Sequence, residues 1–153
     1  MKWKIPSITK IYEALGTIAD GRMEMTGNAA KSYSSTRNKF YTITYDPEKN
    51  AIMSNDNSSY YKGELGYPSI ALLMKLGVLS YDKECADILK GVAWKDINQK
   101  FKNDFEKALD FILSTKTEEE RMRLREFAEK VYVEIKKLNL SLLGSKVKPP
   151  EGY

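Results

Sequence analysis

The feature that most constrains the fold is a change of hydrophobic period near residue 55. Between residues 22 and 54 apolar and polar residues alternate. Met23 and Met25 flank Glu24, and Tyr41, Ile43 and Tyr45 share one side of a stretch rich in β-branched and aromatic residues. Period two marks half-buried strands. Beyond that point apolar residues recur every three or four positions, as in amphipathic helices. A block of strands followed by a block of helices describes an α+β fold.

The turn residues suit a meander. Gly27-Asn28 fits a tight hairpin, because both residue types tolerate positive φ. In Asp46-Pro47-Glu48-Lys49-Asn50, Asp starts the turn, Pro presets φ, and Asn accepts a left-handed end. The expectation is a small antiparallel sheet of three or four strands in the N-terminal third, packed against a C-terminal bundle of about four helices. A short leading helix carries Ile8, Ile11, Tyr12 and Leu15 on its apolar face, with Gly16 placed to stop or loosen it.

Within the helical block, Pro68 fits a first helical position and Gly77 a C-terminal cap backed by Val78. Ser80 is the expected cap of the next helix. A single helix is expected over residues 94–112, striped by Trp94, Ile97, Phe101, Phe105, Ala108 and Ile112, and the rest of the chain is expected to pack around it. Thr117-x-x-Glu120 is a capping box opening the last helix. Arg121, Arg123 and Arg125 there alternate with acids at ion-pair spacing, so Arg123 is expected to pair with Glu119 one turn back. Residues 1–145 read as one globular domain. Residues 146–153, with two prolines and little to bury, read as a flexible tail.

Several chemistries are closed. Among 153 residues there is no histidine and one cysteine. This removes Ser-His-Asp and Cys-His nucleophiles, imidazole bases, and zinc sites built on histidine or on several thiolates. No glycine-rich phosphate loop is present. The sequence therefore assigns no cofactor, no metal and no catalytic residue. Cys85 lies at helical spacing between Tyr81 and Leu89, which makes it core filler. A lone cysteine, no signal-like N-terminus and no long apolar run together predict a cytoplasmic protein without a membrane segment. Scarce cysteine and glutamine with abundant lysine and glutamate suit a hot-growing source.

Two stretches are candidates for function. Lys31, Tyr33, Arg37, Lys39 and Tyr41 interleave cations and aromatics, as in a single-strand or RNA platform. Against this, a sheet in so small a domain tends to bury its aromatic face. The polar stretch 55–66, with Asn55, Asp56, Asn57, Tyr60 and Tyr61, is the longest irregular segment, and such loops often carry function. Asp46 and Asp56 lie near the ends of the sheet segment, where a shared rim would be needed for a metal or acid pair, a reading the spacing does not favour. The net charge of +4 is dispersed, which permits nucleic acid without demanding it. The first functional expectation is a non-enzymatic binding or adaptor protein, acting on a ligand or protein partner or as a homo-oligomer. The alternatives are a nucleic-acid-binding accessory protein and a histidine-independent enzyme using carboxylates, tyrosine or lysine.

Overall fold

The sheet begins with three hairpin-joined strands and a fourth that follows the turn at residues 46–50. The computed structural model describes residues 1–151. Its strands are β1 (Met23–Thr26), β2 (Ala29–Tyr33), β3 (Phe40–Asp46) and β4 (Ala51–Ser54), all antiparallel to their neighbours. Gly27 takes φ 60° at the first hairpin and Asn50 φ 47° at the third. The Asp46 carboxylate accepts from the amides of Glu48 and Lys49, as the turn chemistry requires. A fifth strand, β5 (Ser141–Leu142), pairs parallel to β4 and completes the order β1-β2-β3-β4-β5. Sequence periodicity cannot see a strand of two residues.

Register puts Ala30, Ser32, Tyr41, Ile43, Ile52 and Ser54 on the buried face. Lys31, Tyr33, Phe40 and Thr42 lie on the other face. The helices are α1 (Thr9–Ala19), α2 (Tyr67–Lys75), α3 (Lys83–Ile88), α4 (Trp94–Lys100), α5 (Phe105–Ser114) and α6 (Glu118–Leu138), and a π-helical turn spans Ser58–Lys62. Helix α2 packs on β2, β3 and β4, and α1 packs on α2, α3, α5 and α6. The molecule is thus a single α+β domain with a leading helix, a five-stranded sheet and several helices after it.

The centre of the packing is α1, not the stretch 94–112. Its buried residues are Thr9, Lys10, Ile11, Tyr12, Ala14, Leu15, Gly16 and Thr17, so nearly its whole circumference is enclosed. Gly16 does not stop it. A Cβ there would lie 2.5 Å from Trp94 Nε1, so glycine is what lets α4 approach α1.

The expected helix over 94–112 is two helices. Lys102 and Asn103 take φ 53° and 63°, which breaks the chain, and the Asp104 carboxylate then caps α5 by accepting from Lys107 N–H. The apolar spacing runs straight across the break, so period alone could not reveal it. Phe101 becomes a half-buried cap residue with its ring 5.7 Å from that of Phe111.

Other caps are as the sequence implies. Gly77 ends α2 at φ 77°, with Val78 N–H on Leu73 O and Gly77 N–H on Met74 O, a complete Schellman motif. Thr117 and Glu120 form both bonds of the capping box. One cap differs: Asp82, not Ser80, caps α3, while Ser80 donates its amide and hydroxyl to Glu134 of α6. Arg123 likewise turns away from Glu119 and bridges to Asp82 (3.1 Å) and Glu84 (2.8 Å), tying α6 to α3. Cys85 is fully buried, and burial pushes its thiol up, in keeping with core packing. Among the described residues no helix is long and apolar enough to cross a membrane.

Part of the stretch expected as a tail lies outside the described residues, namely 152–153. Within the rest, Lys146 donates to Tyr60 O at 3.2 Å and Pro149 is buried.

Candidate functional site

Four segments enclose a cleft of about 490 Å³. From α1 come Lys10 and Glu13, three residues apart and so on one face. From α4 come Lys95, Asn98 and Gln99, again one helical face, with Asn103 just beyond. The β2–β3 connection and β3 supply Ser34, Ser35, Lys39 and Tyr41. The loop after β4 supplies Asp56, Asn57, Ser58, Tyr61 and Lys62, and Tyr67 and Phe105 complete the lining.

Local bonding fixes these walls. The β2–β3 connection is folded on itself by Ser34, Thr36 and Asn38. It is pinned to α4 where Lys95 N–H donates to Ser35 Oγ at 2.9 Å, which serves as the side-chain cap that Ala93 does not offer. The π-helical turn is built around Asp56, whose exposure is 4%. Its Oδ1 accepts from Ser54 (2.6 Å) and Ser59 (2.7 Å) hydroxyls, and its Oδ2 from Ser59 N–H. A Cβ on Gly66 would sit 2.0 Å from Oδ2, so only glycine lets the carboxylate occupy that place. Asp56 is therefore an organiser of the loop. Turns of the π type are uncommon and recur at functional sites.

The electrostatics are cationic above a deep acidic group. Among the described residues the lining holds four lysines, Lys10, Lys39, Lys62 and Lys95, and two carboxylates, Glu13 and Asp56. Lys10 is buried, with its Nζ 3.8 Å from the centroid of the Phe105 ring, and Lys62 Nζ lies 5.5 Å from the same ring. The first contact holds the buried Lys10 ammonium against the ring face, and Lys62 makes the longer one from the exposed side. Burial pushes the Glu13 carboxyl up, Lys10 and Arg22 pull against that, and the Asp56 charge adds to it. Burial also drives the Tyr67 phenol well up, helped by Glu13 and Tyr41. The Tyr67 ring meets Tyr41 edge-on, with centroids 6.4 Å apart. Arg22 is 2% exposed, donates from Nη1 to Tyr33 O, and lies near enough to Glu13 to act on its charge. A recess lined this way presents hydrogen-bond donors and positive charge, the chemistry that complements acceptors and anions.

The two candidate stretches meet here only in part. Lys39 and Tyr41 from the first, and Asp56, Asn57 and Tyr61 from the second, line the cleft. Lys31 and Tyr33 lie on the opposite face of the sheet, where the Tyr33 and Phe40 rings are 5.5 Å apart and Lys31 Nζ is 5.0 Å from the Phe40 ring. Arg37 donates to Asp20 O from the connection. Asn55 accepts from Thr42 N–H, and Tyr60 stacks edge-on against Tyr61 at 5.0 Å. Asp46 and Asp56 do not share a rim, because the hairpin places them at opposite ends of β4. Sequence reasoning missed Lys10, Glu13 and Lys95, since charged residues on an amphipathic helix look like its wet face, and passed over Lys62 inside the candidate stretch 55–66. The available signal was in α1, where Lys10, Glu13 and Thr17 make a second polar stripe on a helix short enough to be wrapped.

The fold and the cleft together define a small α+β protein with a lysine-lined recess. The chain belongs to the family described as uncharacterised conserved protein UCP014422, whose model matches residues 3–141. No curated protein and no solved structure matches it significantly.

Proposed function

We propose that the protein is a non-enzymatic binding protein that holds a small anionic ligand in this cleft. The observation that carries the reading is the convergence of Lys10, Lys39, Lys62 and Lys95 on one recess against two carboxylates, Glu13, whose carboxyl burial raises, and Asp56, which is bonded by Ser54 and Ser59. Ligand pockets commonly range over about 300–1,000 Å³, which brackets this cleft. A single buried thiol suits a reducing compartment, and a cytoplasmic setting goes with this reading.

The test is thermal and calorimetric titration of the wild type with inorganic phosphate and pyrophosphate at low salt. A bound anion stabilises the native state by RT ln(1 + [L]/Kd), about 2.7 kcal/mol at a hundredfold excess over Kd. Lys10→Met with Lys62→Met keeps the stems and removes two charges, and the stabilisation should fall steeply. Stabilisation that survives both changes would place the anion elsewhere.

A second reading rests on the outer face of the sheet. The Tyr33–Phe40 ring pair beside Lys31 has the composition of a stacking platform for single-stranded nucleic acid. Tyr33→Ala should then weaken binding of a short RNA by about 1–3 kcal/mol, and loss of Lys31 and Arg37 should flatten its salt dependence. An RNA titration indifferent to all three side chains removes this reading and leaves the cleft untouched.

A further inference from the structure

We infer that the cleft takes a nucleoside phosphate, with the lysines on the phosphate and the primary amides on the base; this rests on the anion-binding reading above. The recess mixes two chemistries. Lys10 and Lys62 flank the Phe105 ring. Among them, α4 and the segment after it present Asn98, Gln99 and Asn103, and Asn57 adds a fourth primary amide. An inorganic anion offers acceptors only, and lysines alone serve it. A primary amide carries two donors and an acceptor on one plane, and matches a group that also has both, such as the edge of a nucleobase. Tyr61, 68% exposed on the cleft lining, supplies an accessible ring for a planar partner. Tyr60 backs it edge-on at 5.0 Å, so the ring is braced.

Volume points the same way. A recess of about 490 Å³ is far larger than a bare phosphate fills, and lies in the range for an organic ligand. The recognising chemistry is the same for a free mononucleotide and for one nucleotide of a single strand, and the experiment separates these sources.

The experiment measures the affinity of the full chain for adenosine and uridine 5′-monophosphates, ribose 5-phosphate, adenosine and a four-nucleotide single-stranded RNA, in one low-salt buffer. At least one nucleoside monophosphate should bind tenfold or more tightly than both ribose 5-phosphate and adenosine. Tyr61→Ala and Gln99→Ala, both exposed positions that leave the core intact, should each weaken that nucleotide about fivefold or more and leave ribose 5-phosphate unchanged. A tetranucleotide that binds tighter still identifies the strand as the source, and one that binds worse identifies the free nucleotide; both support the inference. Equal affinity for ribose 5-phosphate and the nucleotides overturns the base reading while the anion reading stands. Failure of every phosphate to bind overturns both.

Discussion

At the scale of single residues, three positions show how tightly the cleft and the packing behind it are set. Gly16 is inside α1, where alanine would ordinarily gain about 1 kcal/mol of helix propensity. Its contact with Trp94 reverses the sign, because a Cβ would come within 2.5 Å of Nε1 of a fully packed indole. Overpacking of this kind costs about 1–3 kcal/mol. Gly16→Ala should lower the denaturation midpoint, and Trp94→Phe in the same chain should recover part of the loss. Two additive losses would mean that the contact is not the cause. Gly66 plays the same part against Asp56, and holds the loop that carries Tyr61 and Lys62. Glu13 has a different consequence. Its carboxyl is raised above the ordinary 4.5. The folded state therefore keeps this proton to higher pH than the unfolded state does. The stability this contributes is fully present below the unfolded value and is lost as pH rises through the folded one. Glu13→Gln removes that dependence. The melting temperature of the variant relative to wild type should climb as pH rises above the ordinary carboxyl value of 4.5, and a pH-independent gap would refute the assignment.

At the scale of elements, legibility depended on whether a boundary was written in side chains or in backbone. The capping box at Thr117 and the Schellman end of α2 use residue types that announce themselves. The break between α4 and α5 uses Lys102 and Asn103 in the left-handed region, and the stripe through Phe101 and Phe105 conceals it. Asp104, three residues before Lys107, was the one readable sign. Helix α3 shows a related effect. It is six residues long and too short to be stable alone, so its cap matters. Burial works against the Asp82 carboxylate, yet the Cys85 amide and the Arg123 guanidinium hold it below its ordinary 3.8. A depressed carboxyl contributes stability above its unfolded value that is lost as pH falls through the folded one. Asp82→Ala should cost about 1 kcal/mol near pH 7, and the difference from wild type should shrink as pH falls below the ordinary carboxyl value of 3.8. Arg123→Ala should cost less, because the pair is partly solvated, with side-chain exposures of 47% and 27%. A larger loss from Arg123 than from Asp82 would make the bridge, and not the cap, the source of the stability.

At the scale of the whole molecule, the two ends of the chain close the sheet together, which no local pattern could announce. Ser141 and Leu142 pair with β4, Leu142 N–H donates to Met1 O, and Trp3 N–H donates to Leu140 O, each of the last two at 2.9 Å. The Trp3 indole N–H reaches across to Ile52 O at 2.8 Å. Without β5, the β4 edge and its neighbours Trp3 and Leu140 lose their cover. An uncovered edge is a template for pairing between molecules. Two truncations separate this closure from the segment beyond it. Removing residues 146–153 takes away the Lys146 bond to Tyr60 and the buried Pro149, but leaves every strand in place. Removing residues 140–153 also removes β5 and Leu140, which is 2% exposed. Loss of one such leucine costs about 2–5 kcal/mol, and a chain of this length melts about 2–4 °C lower per kcal/mol. The shorter truncation should melt within about 3 °C of wild type, whereas the longer one should fall by roughly 5–20 °C and elute as species larger than the wild type. If both truncations melt together and elute as the wild type does, β4 needs no partner on that side, and the sheet is held by α2 alone.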